Sequence, residues 1–160
     1  MLRCASHDVV FSEIPGEVTL ALNLSNCPNR CPGCHSPHLR EDIGQPLDEE
    51  TLLWLLGVYG NSVTCVCFMG GDAGQEEVAR CALFVKRHAP AGMKTAWYSG
   101  CDRWPEAAEK GGFDYVKIGS WRQESGALDD PRTNQRLYRL QDAGREDITH
   151  LFWKNRKKTN

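Results

Sequence analysis

Short apolar segments, each closed by glycine or by a loop, alternate with stretches of helical character through the middle of the chain, and this limits the fold more than any other feature. Residues 17–24 alternate, with Val18, Leu20, Leu22 and Leu24 on one face, after a turn signal at Pro15-Gly16. Residues 63–69 are apolar and partly β-branched, as in a buried strand, and Gly70-Gly71-Asp72 closes them. Residues 94–98 and 115–118 repeat the pattern, closed by Gly100 and Gly119. Three helical stretches lie between. Asp48 is an N-cap for a helix to residue 59 carrying Leu52, Leu53, Leu55 and Leu56. Residues 75–88 turn Val78, Ala82 and Val85 inward, and residues 104–110 tolerate Pro105 in a first turn before Gly111-Gly112. Strand and helix in alternation predict a parallel sheet with crossover helices.

Length then decides how far such a sheet can curl. A closed (β/α)8 barrel takes about 250 residues, and this chain has 160. The expectation is an α/β fold in one domain, residues 1–160: an open, partial (β/α) barrel with one side accessible. Ligands gather at the carboxyl ends of strands in such sheets. The loop at 25–46, Gly70-Gly71-Asp72, Ser99-Gly100 and Gly119 all fall at that end. Outside the repeat, residues 9–14 read as a strand and 121–134 as irregular. Residues 135–141 and 148–153 fit a strand or a helical turn, and residues 154–160 form a basic, polar tail expected to be solvated.

Eight cysteines in such a chain need a compartment before they can be interpreted. Residues 1–8 are polar and mixed, unlike a signal peptide, and no run approaches the roughly 20 apolar residues of a membrane span. The net charge of −2 predicts no footprint for nucleic acid or an anionic membrane. A reducing cytoplasm is therefore expected, where clustered cysteines read as metal ligands or redox groups. Cys27, Cys31 and Cys34 form C-x3-C-x2-C within one loop, a donor set for a soft metal centre. A [4Fe–4S] cube normally takes four cysteines. Three leave an iron open, and the amino and carboxylate groups of S-adenosylmethionine can chelate it. Two other readings stand beside this one. Zinc fits Cys27, Cys31, Cys34 and His38 by ligand type. Cys31-Pro-Gly-Cys34 is spelled like a thioredoxin pair, but it lies in a long loop and leaves Cys27 unexplained.

The segment 24–38, Leu-Ser-Asn-Cys-Pro-Asn-Arg-Cys-Pro-Gly-Cys-His-Ser-Pro-His, resembles the radical SAM superfamily. Within it, the chain is similar to the small activating enzymes of glycyl-radical enzymes, in the branch serving anaerobic (class III) ribonucleoside-triphosphate reductase. Further matching stretches are Glu13-Ile-Pro15, Phe68-Met-Gly-Gly-Asp72, Trp97-Tyr-Ser-Gly100, Tyr115-Val-Lys-Ile-Gly119, Gly126-Ala-Leu-Asp129 and Thr133-Asn-Gln-Arg-Leu-Tyr138. The resemblance spans residues 9–153. It implies a cluster on Cys27, Cys31 and Cys34, reductive cleavage of S-adenosylmethionine to a 5′-deoxyadenosyl radical, and a glycyl radical installed on the reductase. It implies a reduced flavodoxin or ferredoxin as electron donor. Activation of another glycyl-radical enzyme, small-molecule chemistry of the 7-carboxy-7-deazaguanine synthase type, and a non-catalytic zinc-binding interaction domain are the alternatives.

Candidate contacts to S-adenosylmethionine follow from the same edge. Gly70 and Gly71 let backbone approach a ligand without a Cβ, and Asp72 adds charge toward an ammonium group; the competing role for Asp72 is a helix cap. By resemblance the His35 backbone, with Gly33, lies against adenine, and Cys34 between them counts among the cofactor-binding residues; the His35 side chain reads as a loop packing group. Ser99, with Tyr98, stands near ribose hydroxyls, and Lys117 near the carboxylate, with a snorkelling surface lysine as its alternative. Cys65 and Cys67 share one face of a strand and read as small core hydrophobes, as do Cys4 and Cys81.

Overall fold

The computed structural model describes residues 1–153; the basic run at 154–158 lies outside the described residues. One eight-stranded open sheet runs in the order β3-β1-β2-β4-β5-β6-β7-β8. Its strands are β1 (Arg3–Val10), β2 (Thr19–Leu24), β3 (Gln45–Pro46), β4 (Cys65–Met69), β5 (Lys94–Tyr98), β6 (Tyr115–Ile118), β7 (Arg136–Gln141) and β8 (Gly144–Asp147). The central four, β2, β4, β5 and β6, are parallel, and the strands flanking them pair antiparallel. Helix α1 (Glu49–Tyr59) links β2 to β4 and helix α2 (Gln75–His88) links β4 to β5. Asp48 caps α1 as expected, accepting from the Thr51 amide at 2.8 Å. The fold class is α/β with an open sheet. Among the described residues no helix is long and apolar enough to cross a membrane.

The two faces of the sheet carry side chains of different size. Register places Leu22, Phe68, Trp97 and Val116 in one row across four strands, all fully buried. This row packs under α1 and α2 in the main core. One residue away, Ala21, Cys67, Ala96 and Tyr115 form the row on the other face. Small side chains at three of these four positions keep that part of the face shallow, and Ile14, Leu137 and Ile148 cover part of it. Cys65 and Cys67 sit there as buried thiols. Burial pushes Cys65 up to about 12 and Cys67 well above the ordinary thiol value, so both are neutral packing groups.

Two expectations shift in detail. The third crossover is one 3-10 turn, Glu106–Glu109, because Pro105 is extended and Gly111-Gly112 follows too soon for an α-helix to propagate. The first strand is Arg3–Val10 rather than 9–14, and Ile14 is instead a buried plug in the bend that follows. The two undecided C-terminal stretches resolve as β7 and a 3-10 turn, Thr149–Phe152. Strand β8 had no apolar face to announce it; every residue in it is exposed.

Phe68 sits at the middle of the apolar row. Phe68→Ala is expected to lower unfolding free energy by about 3–5 kcal/mol, read by urea denaturation. A loss below about 1 kcal/mol would contradict the packing described.

Candidate functional site

The carboxyl ends of the parallel strands are stitched together by backbone. The Gly70 amide donates to the Tyr98 carbonyl at 2.9 Å, Ser99 to Lys117 at 2.9 Å, and Gly119 to Cys101 at 2.7 Å. Gly71 has φ +87°, and a Cβ there would fall 2.5 Å from Val78 Cγ2, so a side chain is excluded by both conformation and space. The four loops expected to converge do so, and one carboxylate joins three of them. Asp72 Oδ1 accepts from Ser99 Oγ at 2.6 Å, while Oδ2 accepts from the Gly100 amide at 2.8 Å and from Asn29 Nδ2 at 2.7 Å. A Cβ on Gly100 would lie 2.7 Å from that Asn29 nitrogen. Glycine at 100 therefore lets the cysteine loop close onto the sheet.

Asp72 is thus neither a helix cap nor an idle charge, since no side chain caps α2 or the turn before it. Ser99 is fully buried; besides donating to Asp72, its Oγ accepts from the Cys101 amide at 3.1 Å. The Gly70 carbonyl accepts from the Trp97 indole at 2.8 Å, and the Gly71 carbonyl from the Gly74 amide at 2.9 Å. These groups shape the edge before any ligand arrives.

The cysteine loop has little regular structure, yet it is anchored along its length. The Asn26 amide donates to the Glu41 carbonyl at 3.1 Å and the Cys27 amide to the Leu39 carbonyl at 2.9 Å. Ser25 Oγ donates to the Ile43 carbonyl at 2.7 Å, and Asn26 Nδ2 to Asp42 Oδ1 at 2.8 Å. The short 3-10 turn Pro37–Arg40 supplies Arg40, whose Nη2 donates to the Cys31 carbonyl at 2.9 Å. Cys27, Cys31 and Cys34 are free thiols, each partly exposed. Burial raises the Cys27 thiol above its ordinary value, and the charges of Asp72, Cys31 and Cys34 add to the rise. The Ser36 amide donates to Cys34 Sγ at 3.4 Å. His38 is exposed on the 3-10 turn.

On the shallow face beside this loop lies a cavity of about 690 Å³, lined by Glu13, His35, Tyr98, Trp121, Gln135 and Phe152 among others. Gly33 has φ +73° and tucks against the 121–123 segment; a Cβ there would meet Gln123 Oε1 at 3.4 Å and Trp121 Nε1 at 3.5 Å. The His35 ring packs on Trp121 with centroids 4.4 Å apart. The Tyr98 hydroxyl donates to the Glu13 carbonyl, so it faces the bend and has a partner already. Lys117 shares the face of Cys67. Its ammonium is buried and donates to the Ser99 and Gly119 carbonyls, both at 3.0 Å, which leaves one N–H over. Burial pushes it down to about 8, against the attraction of Asp72 and Cys31.

Asn29, Arg40 and Trp121 escaped sequence reasoning. Trp121 alone had a signal, a large aromatic in an otherwise polar stretch. Among the described residues no three His, Cys, Asp or Glu side chains converge to hold a single metal ion. A cluster makes a different demand: each thiolate takes its own iron. The donor set fits that group on two observations. Cys27, Cys31 and Cys34 are unbridged and within electrostatic reach of one another. Two buried donors at their loop, Arg40 Nε and Trp121 Nε1, have no acceptor among the described residues, and sulfur-rich anions accept such bonds.

Two outcomes test this geometry. Asp72→Ala strands three donors and is expected to lower unfolding free energy by about 3 kcal/mol, read by chemical denaturation; a change under about 1 kcal/mol would dissolve the junction. Lys117 binds its proton less tightly folded than unfolded, so its ionisation opposes folding at low pH. That penalty lifts as pH rises from about 8 toward 10.5. Over that window the wild type should gain about 3 kcal/mol relative to Lys117→Met. Parallel stability-against-pH curves for the two proteins would contradict a buried ammonium.

No protein family, curated protein or solved structure matches the chain.

Proposed function

We propose that the chain is a radical SAM activating enzyme, an oxidoreductase on an open, partial (β/α) barrel. It installs a glycyl radical on an anaerobic ribonucleoside-triphosphate reductase, using an electron from a reduced flavodoxin or ferredoxin. The observation that carries this reading is the joint placement of three free thiols on one anchored loop and a 690 Å³ cavity on the shallow face beside it. Cys27, Cys31 and Cys34 hold the [4Fe–4S] cluster. When bound, the cluster delivers the electron that splits S-adenosylmethionine into methionine and a 5′-deoxyadenosyl radical, which takes a hydrogen atom from the partner's glycine Cα.

The protein's own groups position the reactants. The Asp72 junction fixes the thiol loop against the ends of β4 and β5, so thiols and cavity keep one relative placement. Asp72 and Ser99 act from behind, as a frame, with Gly70 and Gly71 bringing backbone to the edge. Lys117 offers its remaining N–H toward a carboxylate, in a buried setting where that contact is stronger than in water. His35 and Trp121 offer flat apolar surface at the cavity wall, with Gly33 and Cys34 beside them, suited to adenine. The open wall admits a segment of a large partner.

Anaerobic reconstitution with iron and sulfide tests the reading. The protein should turn brown, with broad absorption near about 400 nm. With reductant and S-adenosylmethionine it should release 5′-deoxyadenosine, and a glycyl-radical spin signal should appear on added reductase. Cys31→Ala is expected to abolish 5′-deoxyadenosine formation; near-wild-type turnover in that variant would reject the ligand assignment.

A further inference from the structure

We propose that Arg40 is the counter-cation of the cluster, a positioning residue whose guanidinium raises the cluster's reduction potential. The inference rests on the reading of Cys27, Cys31 and Cys34 as cluster ligands. Arg40 Nη2 donates to the Cys31 carbonyl at 2.9 Å, which places the cation on the thiol loop itself. Its Nε is buried and has no hydrogen-bond partner among the described residues. No carboxylate pairs with it among the described residues. A half-buried guanidinium with an unmet donor and no counter-charge is unfavourable unless an anion comes to it.

The same loop shows a second sign. Four buried side-chain polar atoms lack a partner among the described residues: Thr19 Oγ1, Asn134 Oδ1, Arg40 Nε and Trp121 Nε1. The two that can only donate both border the thiol loop, Trp121 Nε1 lying 3.5 Å from where a Gly33 Cβ would be. Each calls for an acceptor that the described residues do not supply. Three thiolates on an iron–sulfur cube make the assembly anionic, and sulfur accepts N–H bonds. One-electron reduction makes it more anionic, so a fixed cation favours the reduced form and lifts the potential.

The test uses full-length protein reconstituted anaerobically, with the cluster's one-electron reduction by dithionite followed by spin resonance against potential. Wild type, Arg40→Gln and Arg40→Lys are compared, with iron per chain measured for each. Arg40→Gln is expected to hold iron as the wild type does and to show a lower midpoint potential. Arg40→Lys, which keeps the charge, should recover most of that shift. Equal potentials in all three proteins overturn the proposal while leaving the cluster reading intact. A folded Arg40→Gln that takes up no iron counts for the proposal only if Arg40→Lys loads and matches the wild-type potential. Failure of both variants to load makes Arg40 a mere brace for the loop and overturns it. A wild type that builds no cluster overturns the cluster reading and this inference together.

Discussion

One carboxylate ties the thiol loop to the sheet. Asp72 collects a hydroxyl from the end of β5, an amide from the next residue and an amide nitrogen from the loop itself. Remove it and the cysteine loop loses its hydrogen-bonded tie to the ends of β4 and β5. The glycines around it follow from this. Gly100 is glycine because Asn29 must come close, and Gly71 because the chain turns left-handed against Val78. A negative charge at this place also has a local counterweight, since the Lys117 ammonium is held by two carbonyls of the same edge.

The sheet divides its labour by side-chain volume. Large apolar residues face the helices and provide most of the burial, while alanine and cysteine on the opposite face leave room. With that face only partly covered, the hollow opens at the carboxyl edge, where the loops are. The geometry of the site is therefore a by-product of two rows of residues that differ by one position in register.

The central elements were legible because each obeyed a strong local rule. Residues 75–88 carried helical spacing without interruption, and β5 and β6 were short apolar runs stopped by glycine. The Asp48 cap preceded a leucine-rich stretch. Legibility failed where local chemistry was neutral. β8 has no buried residue, and β1 mixes polar and apolar positions beside a bulge in its pairing with β2. At the site, the spacing of Cys27, Cys31 and Cys34 and the glycine-closed strand ends marked the region. The partners of Asp72 did not show, because Asn29 and Gly100 meet it across 43 and 28 residues of chain. Arg40 was equally silent: nothing in its neighbourhood of sequence distinguishes a loop brace from a surface arginine.

Burial also sorts the eight thiols into two populations. Cys4, Cys65, Cys67 and Cys81 lie inside the protein, with Cys65 and Cys81 pushed up to about 12 and 11 and the other two also raised. Cys27, Cys31, Cys34 and Cys101 remain within reach of solvent. An electrophile or an oxidant in solution meets only the second population while the fold is intact. The chain can thus be rich in sulfur without being indiscriminate: chemoselectivity is enforced by the core, which locks half of its soft donors as neutral packing atoms.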